Sequence, residues 1–145
     1  IVDAEAYYQL SGAYTALGKF PDALAAIKQA MYIQRAEQAS PEAANTFRSL
    51  SLEHLQYSTG LAYFNLRRYP EAIEELKRVI ALNPKNAQAY YGLALSYIAN
   101  GNRKSAEKQQ ETLESLNPVF AAKIAKLLSS GPAQRQGFGF IFTDR

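Results

Sequence analysis

The chain has 145 residues, of which 48% are apolar, 20% are charged and 12% are aromatic. This composition is typical of a globular protein, and the length suffices for one self-supporting core. With no Cys and with His54 as the single histidine, the sequence excludes disulfides, thiolate metal sites and imidazole-based metal clusters. We therefore expect no cofactor, and much of enzyme chemistry is excluded with it.

The net charge is +3, and the excess of bases lies in the second half of the chain. The bases there are spread over several predicted helices, whereas phosphate binding normally needs a denser basic stripe, so nucleic acid is not an expected partner. No stretch approaches the ~18 to 20 apolar residues of a membrane span. Because the first residue is Ile1, we expect an excised or processed piece. The lack of Cys fits reducing and oxidising compartments alike, with the cytoplasm slightly favoured.

In chain order, the predicted elements are pairs of amphipathic helices, because apolar residues recur three and four apart. Pro21 and Pro70 stand where the second helix of a pair begins, a position at which proline sacrifices no intrahelical hydrogen bond. In the last pair, Gly101 and Asn102 end one helix and begin the next. The pairs are assigned to residues 4–52, 53–86 and 87–118.

These pairs are copies of one repeat. Residues 57–84 and 91–118 align without a gap, so that Tyr63 falls on Tyr97 at a separation of 34 residues. A helical hairpin of this length cannot bury its apolar face alone, so hairpins with this period are expected to stack on a shared core. Three columns recur in all copies, two of small residues and one of tyrosines: Ala23, Ala72 and Ala106; Ser11, Gly60 and Ala94; Tyr14, Tyr63 and Tyr97.

The first and second copies are further apart than the period. Ala23 and Ala72 are separated by 49 residues, an excess of 15. We interpret the insert as about two additional turns on each of two antiparallel helices, with Ser40 as a suitable N-cap for the second; a 15-residue loop is the alternative. The predicted longer helix has an apolar stripe through Phe47, Leu50, His54, Tyr57 and Leu61.

The repeat resembles the motif of the tetratricopeptide repeat family. Its second copy carries the small residue, the tyrosine, the alanine and the closing proline of that motif at Gly60, Tyr63, Ala72 and Pro84. The resemblance predicts an all-α, right-handed α-solenoid of three helix-turn-helix hairpins, the first with elongated helices. Residues 1–130 are expected to form this domain, ending in a capping helix over about 119–129, and 131–145 an extended or disordered tail.

The resemblance also implies a function, because the first helices of such hairpins line a concave groove that binds partners. We expect a non-catalytic protein-protein interaction module that binds a peptide or amphipathic helix in an apolar, aromatic groove, as a scaffold or assembly factor. The alternative for the tyrosines is that they only pack against neighbouring helices. The expected groove residues are Tyr8, Gly12, His54, Tyr57, Leu61, Phe64, Asn65, Tyr91, Leu95 and Ile98.

One specialisation of the family is not expected. Members that clamp the acidic tail of heat-shock chaperones use lysine, asparagine and arginine side chains to hold carboxylates. None of the corresponding residues here matches that set. They are Tyr8, Gly12, Ser58, Gln88 and Gly92.

An enzyme is not expected either, because His54 has neither a strained nucleophile turn nor an oxyanion site in its sequence neighbourhood. The tail has phenylalanines at alternating positions, Phe138, Phe140 and Phe142. It is either a disordered or next-domain leader, or an apolar strip that occupies a groove of its own or of a neighbouring molecule. The second interpretation makes the chain a self-associating scaffold, with a homodimer as its simplest form.

Overall fold

The computed structural model describes residues 3–39 and 51–130, and within these ranges it consists of seven helices and no strand. The first six helices form three hairpins, and the last packs against the third hairpin. The chain is therefore an all-α helical repeat solenoid. The helices are α1 (Ala4–Ala16), α2 (Phe20–Gln38), α3 (Leu52–Asn65), α4 (Tyr69–Leu82), α5 (Ala87–Ala99), α6 (Arg103–Leu116) and α7 (Pro118–Ser129).

The three hairpins turn in the same way. The residue with positive φ is Gly18 in the first turn (72°), Arg67 in the second (61°) and Gly101 in the third (83°). In each turn the next backbone N–H donates to the carbonyl of the column tyrosine at 2.8 Å, as from Lys19 to Tyr14. This hydrogen bond satisfies a carbonyl at the end of the first helix and reverses the chain into the second.

The small residues of the repeat's columns lie where helices pack closely. Ala23, Ala72 and Ala106 are completely buried where the two helices of each hairpin cross. Gly60 is buried opposite Leu76, and the tyrosines of the third column are half-buried. Small residues at these crossings let the helices pack closely, which closes each hairpin.

The expected lengthening around the insert occurs in one helix. α2 has 19 residues, whereas α4 and α6 have 14 each. The expectation that the first helix of this hairpin is also elongated is wrong, because α1 has 13 residues, as α5 does. α3 begins after its N-cap Ser51, which has an extended ψ of 127°, and the additional turns expected before it fall outside the described residues. Ser40, Phe47, Leu50 and the three tail phenylalanines lie outside the described residues.

The repeats are also joined by a carboxylate. The side-chain amides of Asn83 and Asn86 donate to Oε1 of Glu53 at 3.0 and 2.7 Å, which ties the first turn of α3 to the loop before α5. Asn86 also accepts a hydrogen bond from the N–H of Ala89, so it caps α5 at the same time.

Within the described ranges, no helix is both long and apolar enough to cross a bilayer.

Candidate functional site: a cavity between α1 and α3

A cavity of about 310 Å³ separates α1 from α3, with Ile27 of α2 at its base. All the residues that line it are uncharged. α1 contributes mainly polar and small residues, and α3 contributes one hydroxyl and two apolar side chains. The residues used below are Tyr8, Gln9, Gly12, Thr15, Ser58 and Leu61.

The cavity exists because the first repeat departs from the other two at two positions. Where the second and third repeats have Leu61 and Leu95, the first has Gly12. A Cβ built on Gly12 would meet no atom within 4 Å. At the position of Thr15, the second and third repeats have the larger apolar residues Phe64 and Ile98. In the third repeat the corresponding Leu95 and Ile98 are buried in the core, whereas Gly12 and Thr15 leave space between α1 and α3.

Hydroxyl groups surround this space. The Oγ of Ser58 donates to the Oη of Tyr8 at 3.4 Å, which is a long hydrogen bond between the two walls of the cavity. The hydroxyls of Ser11 and Thr15 instead donate to backbone carbonyls of α1, at 2.6 and 2.9 Å. Tyr8 and Ser58 therefore supply the weakly held polar groups of the cavity.

A row of aromatic rings continues from Tyr8 across the other first helices, because Tyr8, Tyr57 and Tyr91 occupy the same position in their repeats. All three are half-buried. The ring of Tyr91 stacks on that of Phe120 of α7, with centroids 4.7 Å apart and planes at 26°.

Two hydroxyls of this row, those of Tyr57 and Tyr91, are held neutral. Burial, and to a lesser extent the neighbouring Tyr91, raises the pKa of Tyr57 to about 12. Burial also raises the pKa of Tyr91 above its ordinary value. Both hydroxyls therefore stay protonated at neutral pH and remain able to donate a hydrogen bond.

The ten groove residues that the sequence predicts separate into four groups. Tyr8, Gly12 and Leu61 line the cavity, Tyr57 and Tyr91 lie half-buried in the aromatic row, and His54 is exposed near the start of α3. The fourth group is a correction, because its residues are buried and cannot present a groove surface in this structure: Phe64, Asn65, Leu95 and Ile98.

The physical reason for the correction is packing between the second and third hairpins. Phe64, Leu95 and Ile98 belong to one core cluster, and the ring of Phe64 also meets that of Tyr69 edge-on at 5.4 Å. Asn65 is 6% exposed, and neither atom of its side-chain amide has a hydrogen-bond partner among the described residues.

Gln9, Thr15 and Ser58 line the cavity without having been chosen as groove residues from the sequence. Thr15 could have been found there, because a small polar residue stands in a column that is otherwise Phe64 and Ile98. Gln9 and Ser58 carry no such signal, since they share one column of the repeat with Gly92 and that column has no fixed residue type.

Models of known protein families match parts of the chain. A family model described as TPR repeat matches residues 60–101, and one described as Tetratricopeptide repeat matches residues 4–37 and 87–120. No significant match was found among curated proteins.

Solved structures that are similar to the chain include the following two. The crystal structure of MamA superposes with a TM-score of 0.69 and 27% identity, over 92% of this chain and 70% of that one. The first TPR of Spaghetti (RPAP3), bound to the HSP90 peptide SRMEEVD, superposes with a TM-score of 0.65 and 22% identity, over 88% of this chain and 94% of that one.

Proposed function

Because the chain belongs to the tetratricopeptide repeat family, whose domains generally mediate protein-protein interaction, we propose that it binds a peptide segment of a partner protein in the cavity between α1 and α3. The observation that carries this proposal is the replacement of two large apolar residues of the repeat by Gly12 and Thr15. These two residues leave open a space that the repeat itself fills elsewhere. In this role the chain is a non-catalytic scaffold or assembly module.

The size of the cavity favours one side chain of a peptide over a whole small molecule. Ligand pockets hold roughly 300 to 1,000 Å³, and the 310 Å³ measured here lies at the low end of that range. Leu61 and Ile27 supply apolar walls, so an apolar side chain of the partner fits best. The hydroxyls of Tyr8 and Ser58 are positioned to hydrogen-bond to the peptide backbone beside it.

The charge of the cavity favours an uncharged segment. The peptide in the RPAP3 structure, SRMEEVD, contains three acidic residues. No lysine or arginine lines the cavity here, so nothing would compensate the desolvation of such carboxylates. We therefore propose a partner segment whose contact residues are apolar or polar but not acidic, which differs from a chaperone tail.

The test is to fill the cavity. Peptides are selected on the chain from a random displayed library, and the Kd of the best is measured by calorimetry for the parent, Gly12→Ala and Gly12→Leu. Gly12→Leu installs the residue found at the equivalent positions 61 and 95, and we expect it to weaken binding at least ~10-fold. Ala81→Leu, on the exposed face of α4, adds the same side chain away from the cavity and serves as the matched control.

Equal affinity of the parent and Gly12→Leu for every selected peptide would show that the cavity is not the binding site. Self-association through Phe138, Phe140 and Phe142 stays the alternative prediction. Sedimentation of the chain with and without residues 132–145 separates the two. A concentration-dependent dimer that deletion abolishes supports self-association, and a monomer in both cases supports the peptide module.

A further inference from the structure

The tail contains an apolar segment without charge. We call residues 136–142 the Phe segment, which reads QGFGFIF in one-letter code. Its phenylalanines, Phe138, Phe140 and Phe142, are two residues apart, so in an extended peptide they would point to the same side. Three such rings left together in water would promote non-specific association. The chemistry of the segment therefore calls for an apolar site that covers at least one ring.

The cavity between α1 and α3 matches this segment in polarity and in shape. Ile27 and Leu61 give it apolar walls that can take up a phenylalanine ring, and all of its lining residues are uncharged. Contact between the segment and the cavity would thus bury no charge and carry no penalty for desolvating one. Gly137 and Gly139 have no side chains, so the peptide backbone beside Phe138 can approach the cavity wall closely.

The tail leaves α7 at the end of the helices where part of the cavity wall lies. α7 packs against α5 and α6, as α5 packs against α3 and α4, so it takes the place of a first helix. The first helices α1, α3, α5 and α7 consequently run in the same direction and end on the same side. On that side the cavity is lined by Thr15 and Ala16, in the last turn of α1. Ser130 ends α7 with an extended ψ of 144°.

The cavity is within reach of the Phe segment. Packed helices are about 10 Å apart, so the space between α1 and α3 is roughly 25 Å from α7, across α5 and α3. An extended chain spans ~3.3 Å per residue. Measured from Ser130, Phe138 therefore reaches about 26 Å and Phe142 about 40 Å. The tail is long enough to place a phenylalanine in the cavity of its own molecule.

We propose that the Phe segment occupies the cavity of the same molecule with one of its phenylalanine rings, so that a partner peptide has to displace it. This occupant is assigned to the cavity of the proposed function and rests on that function. The tail of the same molecule is favoured over that of a second copy, because a short flexible connection gives an effective concentration on the order of millimolar. Separate copies at micromolar concentration cannot match it. The tail thus acts as an internal competitor of the partner.

Because the chain has no cysteine, an introduced pair of thiols reports on this contact. Ala16→Cys places one thiol at an exposed position of the cavity lining, and Thr143→Cys places the other directly after the Phe segment. In a glutathione buffer, the fraction of the full chain with an intramolecular disulfide gives the effective concentration of one thiol at the other. Mass spectrometry measures this fraction and separates it from disulfide-linked dimers. Ala81→Cys with Thr143→Cys is the control pair, since Ala81 is exposed on α4 and does not line the cavity.

Replacing all three phenylalanines should lower the effective concentration of the pair at 16 and 143 at least ~10-fold. Gly12→Leu fills the cavity and should lower it to a similar extent. Three serines placed elsewhere in the tail should leave it unchanged, and the control pair at 81 and 143 should show no fall in any variant. The phenylalanine variant is Phe138→Ser, Phe140→Ser and Phe142→Ser, and its matched control is Ala133→Ser, Gln134→Ser and Gln136→Ser.

Partner binding provides a second measurement. Without its phenylalanines the tail no longer competes, so the peptide selected for the cavity should bind the phenylalanine variant at least ~3-fold more tightly than the parent. The matched serine control should bind the peptide like the parent. Calorimetry measures both affinities on the full chain.

Three outcomes would overturn the inference. The first is an effective concentration that changes less than ~3-fold in the phenylalanine variant. The second is an unchanged value in Gly12→Leu, which would place the Phe segment outside the cavity. The third is a disulfide that forms only between two chains, which would make a second copy the occupant.

The two measurements keep this inference apart from the proposed function. The disulfide measurement uses no partner peptide, so it decides on the tail even if no selected peptide depends on the cavity. A peptide that Gly12→Leu weakens, but that binds the parent and the phenylalanine variant equally, would leave the proposed function standing and exclude the tail as its competitor.

Discussion

Gly60 of α3 lies directly against Leu76 of α4, so that a Cβ added to Gly60 would be 3.0 Å from the Cγ of that leucine. Leu76 is fully buried, which leaves it little room to move. Gly12 lies on the first helix of the preceding hairpin, and a Cβ added to it would meet no atom within 4 Å. The two glycines therefore serve opposite purposes: Gly60 permits a close helix crossing, and Gly12 keeps a cavity open.

Alanine substitutions at the two glycines should change the free energy of unfolding in opposite directions. We expect Gly60→Ala to lower the free energy of unfolding by about 1 kcal/mol, because overpacking costs ~1 to 3 kcal/mol and the better helix propensity of alanine returns only ~1 kcal/mol. Gly12→Ala should raise it by about 0.5 to 1 kcal/mol, since only the propensity changes. Urea denaturation followed by circular dichroism measures both, and the same sign of change for both variants would contradict the packing described.

Arg67 is expected to strain the turn of the second hairpin. It has a φ of 61°, a left-handed conformation that costs a residue with a Cβ ~1 to 2 kcal/mol, whereas the matching positions are Gly18 and Gly101. Arg67→Gly should therefore stabilise the chain, by about 0.5 to 1 kcal/mol after the added entropy of the unfolded glycine is deducted. Gly101→Ala is the mirror experiment and should destabilise by a similar amount. A thermal melt in which Arg67→Gly is less stable than the parent would count against the prediction.

Tyr57 should make stability depend on alkaline pH. Its pKa is raised from 10.0 to about 12 by burial, so the folded chain holds the phenolic proton more tightly than the unfolded chain. The contribution is fully present below pH 10 and is lost as the pH rises from about 10 through 12. At ~1.4 kcal/mol per pKa unit, the loss is at most about 3 kcal/mol.

The control for this pH dependence is Tyr57→Phe, which keeps the ring and removes the titrating group. Urea denaturation at several pH values between 9 and 12 should show a smaller decline in stability for Tyr57→Phe than for the parent. Parallel declines would mean that other groups account for the whole effect. An absorbance titration of phenolate formation provides an independent measure, because one late-ionising tyrosine should be missing from the variant.

Glu53 should contribute to the junction between the second and third repeats. Two asparagine amides donate to its Oε1, and hydrogen bonds to a charged group contribute about 1.5 to 3 kcal/mol each in favourable cases. Because the site is only partly buried, we expect Glu53→Ala to cost about 1 to 2 kcal/mol in chemical denaturation. Glu53→Gln retains an acceptor oxygen and should lower the stability by less than half as much. Equal losses of stability for the two variants would show that the charge of the carboxylate, and not its acceptor oxygen, provides the stabilisation.

The sequence by itself determines the helices, the repeat and the columns of the fold. Ala72 and Ala106 belong to a column of small residues that the repeat alone reveals, and the structure buries both completely at a helix crossing. Such features can be read from the chain because they depend on local spacing and on a pattern repeated at a fixed interval. From the repeat, Tyr8 and Gly12 are predicted to be groove residues; the structure places both in the lining of the cavity, and their role in binding stays a prediction.

The tertiary structure alone decides which groove positions are accessible. Phe64 and Leu95 have the repeat positions of Thr15 and Gly12, yet they are core residues, because the second and third hairpins pack closely there. Burial depends on the side chains of the neighbouring helix, which are distant in sequence and whose fit is a three-dimensional property. The same reason explains the different burial of Leu10 and Leu93, which occupy the same position in their repeats: α4 packs against Leu93, which is 3% exposed, whereas no helix among the described residues covers Leu10, which is 40% exposed.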